Sequence, residues 1–196
     1  MLISNFSLVK QKRNNTCGYA TAGMILSFLE GQKIDEDILL ENEPFDAIGI
    51  TFSKLMDVYG KYLKKYKAEI VYGDDEKMSE VIKNSLQSNI PLHILYLTAN
   101  LMGDGEPVLH YSALIGYDDA EGTYSIADPY GSIKKLKKEE FFDAVSFRNE
   151  CLPDIIKQKC PSNMMIRFTL EATGESKESQ RGRFSTDSSR LGLGES

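Results

Sequence analysis

The chain has 196 residues, 41% of them hydrophobic, which is enough for one domain with a substantial core. Its 29 acidic residues outnumber 23 basic ones, and a formal net charge of −6 argues against a nucleic-acid binder, where a basic excess is usual. No apolar run approaches the roughly 18 residues of a membrane span, and Met1-Leu-Ile-Ser-Asn-Phe lacks the basic and long apolar regions of a secretory leader, so the expectation is a cytoplasmic protein without a membrane segment.

Cys17 opens a stretch in which Ala20, Met24, Ile25, Phe28 and Leu29 recur at helical spacing. This predicts a helix from Cys17 to Glu30, ended by Gly31. Thr16 is the expected N-cap, which sets Cys17 in the first turn, where free N–H groups and the helix dipole favour a thiolate. Asp35 is read as the cap of a short helix through Leu40. Thr51 is read as the cap of another, with Leu55, Val58, Tyr59, Tyr62 and Leu63 on one face. Ile70-Val71-Tyr72 reads as a short strand. Asp75 starts a helix carrying Met78, Val81, Ile82 and Leu86 that stops near Asn89.

The character changes at Pro91. Leu92 to Leu97 is a predicted strand, Thr98 to Pro107 a Gly-containing loop, and Val108 to Tyr117 a second strand. Asp118 to Gly122 is a turn, Thr123 to Ala127 a third strand, Asp128 to Gly131 a tight loop and Ser132 to Leu136 a fourth strand. Lys137 to Phe147 is a predicted helix with Phe141, Phe142 and Val145 inward, and Met164 to Leu170 a closing strand. Helices gather in the first half and antiparallel strands in the second, an α+β pattern. From about Thr173 the chain is rich in Ser, Gly, Arg and Glu, so the domain is assigned to 1–172 and a disordered tail to 173–196.

Three cysteines, Cys17, Cys151 and Cys160, do not make a disulfide framework. Cys151 and Cys160 are read either as a pair or as two unlinked thiols. No zinc site is expected, since there is no close Cys pair with a neighbouring His.

The residues that carry chemistry are few. A thiol is poorly ionised at neutral pH and needs an activating partner. The chain has two histidines. His93 lies in an apolar strand and is assigned a structural role. His110 starts its strand beside a Gly-containing loop, where reactive groups are often placed. With the hairpin turn near Ala120, Asp128 returns to about the level of His110 or slightly past it, and a carboxylate there holds the imidazole in the tautomer that accepts a thiol proton. An Asp-Pro turn is the competing reading of Asp128. Gln11, six residues before Cys17, is a side-chain amide suited to stabilising an oxyanion together with the Cys17 N–H; Asn14 and Asn15 compete for that role.

Gln11 with Cys17-Gly18-Tyr19-Ala20, His110-Tyr111 with Gly116-Tyr117, and Asp128-Pro129-Tyr130-Gly131 resemble, in order and spacing, the peptidase C39 family. These are papain-like cysteine peptidases of bacteria, best known for cutting leader peptides after a Gly-Gly motif. The resemblance runs from about Gln11 to Phe147. It implies a papain-like α+β fold whose N-terminal helical half packs its nucleophile helix on a C-terminal antiparallel sheet. It also implies Gln11 as oxyanion-hole residue, Cys17 as nucleophile, His110 as base and Asp128 as the group that orients it. The substrate implied is a peptide or precursor protein, with no metal or organic cofactor. Lys12, Arg13, Asn14 and Asn15 stand where the family often has an acidic residue close before the cysteine, and Thr98–Pro107 is longer than a minimal domain needs. The expectation is a free-standing domain. An acyltransferase passing the acyl group to an amine would use the same four residues. A non-catalytic peptide-binding domain would not need the Cys–His–Asp set.

Overall fold

The computed structural model describes residues 1–42, 49–98, 108–146 and 163–171. The chain runs α1 (Cys17–Glu30), α2 (Glu36–Asn42), α3 (Phe52–Tyr62), β1 (Tyr66–Val71), α4 (Asp75–Gln87), β2 (Leu92–Leu97), β3 (Leu109–Asp118), β4 (Thr123–Asp128), β5 (Ser132–Lys137), α5 (Lys138–Val145) and β6 (Met165–Leu170). The loop expected over Thr98–Pro107, Cys151 and Cys160, and the tail expected from Thr173 fall, beyond Thr98, outside the described residues.

The helices start and stop for local reasons. Gly31 adopts φ 69°, and its N–H donates to the Ser27 carbonyl at 3.1 Å, closing α1. The Thr51 hydroxyl accepts the Lys54 N–H at 3.3 Å at the head of α3. α4 starts at Asp75, as expected, and its cap is Asp74, whose side chain accepts the Lys77 N–H at 2.9 Å. Thr16 departs from expectation in its side chain alone. It occupies the N-cap position, but its hydroxyl makes no cap bond and points instead at the Arg13 carbonyl (2.8 Å) and Glu36 Oε1 (3.0 Å).

Six strands form one antiparallel sheet in the order β1-β6-β2-β3-β4-β5. The last strand is not a closing edge: β6 lies between β1 and β2. β1 begins at Tyr66, four residues before the expected strand, because its full length pairs with β6 from Tyr66↔Leu170 to Val71↔Met165. Helices cover both faces. Tyr59 of α3 touches His93, and Gly18 of α1 meets Tyr111, on one face; Ser79 of α4 and Phe141 of α5 meet Tyr124 on the other. Buried on nearly every side, α1 is the central helix of this core.

One irregularity in the sheet matters for the site. Between Leu114 and Gly116 the β3–β4 register slips by one residue, a β-bulge. Beyond it Leu114 faces Ile126 and Ala113 faces Ala127, so the register sets Asp128 across from Ser112. Had the Gly116↔Ser125 register continued, Asp128 would lie across from Ala113, on the opposite face from His110. The bulge therefore puts Asp128 and His110 on one face, with Asp128 one same-face step short of the level expected from a plain hairpin.

Gly18 fixes how closely α1 approaches this sheet. A Cβ there would lie 2.2 Å from Ile50 Cγ2 and 3.0 Å from Tyr111 Cδ2. Gly60, inside α3, has nothing within 4 Å of the same position. Gly18→Ala is expected to cost about 1–3 kcal/mol through overpacking and to lower Tm by roughly 3–10 °C. Gly60→Ala should raise Tm slightly, through better helix propensity. Thermal melts of the two variants check both signs; equal shifts would contradict the packing described.

Candidate active site

The site forms where the start of α1, the start of β3 and the end of β4 meet. Cys17, partly buried, is the first residue of α1. The loop before it is held from α2 by Glu36, which is 2% exposed. Glu36 Oε2 accepts the Lys12 N–H at 3.0 Å, and its Oε1 accepts from the fully buried Thr16 hydroxyl. Outside this clasp Lys12 Nζ pairs with Asp35 (3.6 Å) and Asp37, and Arg13 pairs with Asp37 (3.6 Å). The basic residues that stand where the family often has an acid thus face acids at and just before the start of α2.

His110, 2% exposed, reaches both other members of the set. Its Nε2 lies 3.1 Å from Asp128 Oδ1. With Nε2 so engaged, Nδ1 is the ring nitrogen left to face Cys17, which acts on the ring from the start of α1. Tyr130 stacks on the ring at 4.8 Å between centroids, and Tyr96 stands edge-on at 5.6 Å. Burial disfavours the imidazolium, but hydrogen bonds to Asp128 and Cys17, with their charges, outweigh it and raise the His110 pKa to about 9.

Asp128 has no exposed surface and four partners. Oδ1 takes the His110 ring and the Tyr130 N–H (2.8 Å), while Oδ2 accepts from the Tyr96 hydroxyl (3.1 Å) and lies 2.6 Å from Lys134 Nζ. Burial alone would push this carboxyl up; His110, Lys134 and the Tyr130 N–H hold it well below the usual carboxylate range. One oxygen of Asp128 serves both contacts that the sequence suggested: Oδ1 faces His110 and also accepts the Tyr130 N–H of the Asp-Pro turn.

Gln11 is brought to the same turn. Its backbone N–H donates to the Pro129 carbonyl at 2.7 Å. One Nε2 proton goes to the Arg13 carbonyl at 2.9 Å, and Oε1 is buried with no partner among the described residues. Asn14 and Asn15 are exposed. His93 is elsewhere, as expected. It is fully buried on the other face of the sheet, its Nδ1 2.7 Å from the Tyr59 hydroxyl, and burial lowers its pKa to about 3. Tyr96 and Lys134 were not found from the sequence. The signal for Tyr96 is its direct pairing with His110 across β2–β3, visible only once the register is known.

A cysteine at a helix start, facing a strand histidine and aspartate, on a sheet of this kind, defines a papain-like α+β domain. The chain belongs to the peptidase C39-like family, whose model matches residues 3–149. No curated protein matches the chain by sequence. Among solved structures, it is similar to the peptidase domain of Streptococcus ComA, a bifunctional ABC transporter involved in a quorum-sensing pathway: TM-score 0.57, 15% identity, 85% of this chain and 100% of that one. A double-glycine-motif protease from an AMS/PCAT transporter, in complex with its leader peptide, gives TM-score 0.56 at 15% identity over 84% of this chain and 91% of that one. The C39-like domain of a Vibrio parahaemolyticus toxin-secretion ATP-binding protein gives 0.50 at 10% identity, over 81% and 100%. Among the described residues no helix is long and apolar enough to cross a membrane.

The two histidines give opposite pH dependences of stability. His110 binds its proton more tightly folded than unfolded. Its contribution is therefore full below the unfolded value of 6.5 and is lost as pH rises through about 9. His93 is held neutral, so its contribution is full above 6.5 and is lost as pH falls through about 3. Urea midpoints measured against pH should peak near 6.5, with His110→Ala flattening the alkaline limb and His93→Leu the acid limb above the carboxylate range. A limb that neither variant alters would contradict the assignment of the histidines.

Proposed function

We propose that the protein is a cysteine peptidase that cleaves a peptide or leader sequence through an acyl-enzyme on Cys17. The observation that carries this reading is the His110 ring held between the Cys17 thiol and the buried Asp128 carboxylate. His110 Nδ1 takes the thiol proton, and the sulfur attacks the scissile carbonyl carbon. Asp128 keeps the ring oriented and favours the imidazolium. The carbonyl oxygen becomes an oxyanion received by the Cys17 N–H and Gln11 Nε2, which has a second proton besides the one given to the Arg13 carbonyl. Collapse breaks the C–N bond, and His110 returns its proton to the leaving amine. Water, deprotonated by the same ring, then hydrolyses the thioester. No cofactor enters this scheme.

The substrate fitting the family is an extended peptide with a small-residue junction, since a solved relative is a double-glycine-motif protease bound to its leader peptide. A synthetic precursor with a Gly-Gly junction tests this. The wild type should cut it after the second glycine through a thioester visible by mass spectrometry, and Cys17→Ala should bind it with similar Kd but not cut it. Turnover by Cys17→Ala would remove the reading. A product carrying an added amine, with no hydrolysis, would replace peptidase by acyltransferase.

Gln11→Ala should lower kcat by about a hundred- to a thousand-fold, the usual consequence of losing one oxyanion donor. KM should change little. Asn14→Ala, at an exposed position, should leave kcat near normal. The reverse pattern would move the donor to Asn14.

A further inference from the structure

Asp128 makes contacts that a carboxylate holding a histidine does not need. Oδ1 alone faces His110, yet Oδ2 is clamped by two groups from different strands, the Tyr96 hydroxyl of β2 and the Lys134 ammonium of β5. Tyr96 is itself oriented, since its oxygen accepts the Ser112 hydroxyl proton at 3.4 Å and so turns its own proton toward Asp128. Lys134 pairs with Ile126 in the β4–β5 ladder, which puts its side chain on the face that carries Asp128, two residues along β4. An inward-pointing lysine on an edge strand also discourages edge-to-edge pairing. That role asks for no partner, whereas Lys134 Nζ is 2.6 Å from a carboxylate with no exposed surface.

The charges explain what the lysine adds. A thiolate, an imidazolium and a carboxylate together carry one net negative charge, which is costly to bury. With the Lys134 ammonium the set is neutral. The cation also weakens the pull of Asp128 on the imidazolium. That matters because the ring must give its proton back to the leaving amine. Among the described residues, the titratable groups facing the ring are Cys17 from α1, Tyr96 from β2, Asp128 from β4 and Tyr130 from the β4–β5 turn, and Lys134 acts on it only through Asp128.

We propose that Lys134 is a positioning residue that fixes Asp128 through Oδ2 and, by offsetting its charge, sets how readily His110 releases its proton. This rests on Cys17, His110 and Asp128 being the reacting set.

The test is an NMR titration of the imidazole C–H signals in the full chain, which has two histidines, of which His93 titrates only near pH 3. Lys134→Met and, as a second charge-removing variant, Lys134→Gln should move the His110 titration to higher pH by about one pH unit. Lys134→Arg should leave it near the wild-type position. In parallel, kcat/KM for a peptide amide should fall about tenfold in Lys134→Met. An activated ester of the same peptide should be nearly unaffected, because its leaving group needs no proton. An unmoved or lowered His110 titration in both charge-removing variants would overturn the proposal, as would equal losses on amide and ester. If the titration moves as expected while neither wild type nor Cys17→Ala turns over any peptide, the peptidase reading falls and the action of Lys134 on His110 stands.

Discussion

The structure depends on burying the Asp128 carboxylate. An isolated carboxylate in a protein interior is too costly to keep ionised, and it survives only where its lone pairs are met. Asp128 meets them with the ring of His110 from β3, the hydroxyl of Tyr96 from β2, the ammonium of Lys134 from β5 and the N–H of Tyr130 from its own turn. Three of these lie on strands other than its own, so the carboxylate is satisfied only when four strands are in register. The bulge in β3 is part of that requirement, since with an unbroken Gly116↔Ser125 register the Asp128 side chain would face the wrong side of the sheet. Core packing and site geometry are therefore one problem: the sheet that buries Leu114 and Ile126 is also what lines up Asp128.

The helical half is joined to this point by a second set of ties. The segment before Cys17 is anchored at one end to the turn that contains Asp128, through the Gln11 N–H and the Pro129 carbonyl, and at the other to Glu36 of α2. Adjacent residues of β3 divide the remaining work. His110 faces Asp128, while Tyr111 faces the start of α1, packs against Gly18, and donates its hydroxyl to the Ile50 carbonyl at 2.9 Å. The Tyr111 carbonyl accepts from the Thr21 hydroxyl at 3.3 Å. The strand alternation that turns His110 to the carboxylate thus also seats the helix that carries Cys17.

Much of this was legible in the sequence, for identifiable reasons. Helix α1 announces itself by long 3.6-residue periodicity and a terminal glycine, and Leu92–Leu97 by an apolar run after a proline. Gln11, Cys17, His110 and Asp128 sit in short motifs, so their spacing could be read directly; in the structure His110 meets Asp128, and the Gln11 backbone meets the turn that follows it. What could not be read is whatever depends on register. Nothing local reports that Leu114 to Gly116 holds a bulge, that β6 inserts between β1 and β2, or that Tyr96 lies directly across from His110. Thr16 holds the expected N-cap position but makes no side-chain cap bond, for a similar reason. Its hydroxyl has a local option at the helix N-terminus, but Glu36, twenty residues away, offers a buried carboxylate instead.

His93 and His110 show how far environment, rather than residue type or burial, decides a group's chemistry. They stand on neighbouring strands of one sheet and both are almost completely buried. Burial acts in the same direction on each, against the charged ring. His93 has a neutral partner, the Tyr59 hydroxyl, and aromatic neighbours in Tyr59 and Tyr111, so nothing offsets the loss of hydration and the ring stays neutral. His110 has a carboxylate on one nitrogen and a thiol beside the other, and the balance reverses. The two rings point to opposite faces because they are an odd number of steps apart through the β2–β3 ladder, so the sheet itself insulates them. A neutral histidine in the core and a charged one at the site are compatible in one small domain only because Asp128, and not solvent, supplies the counter-charge.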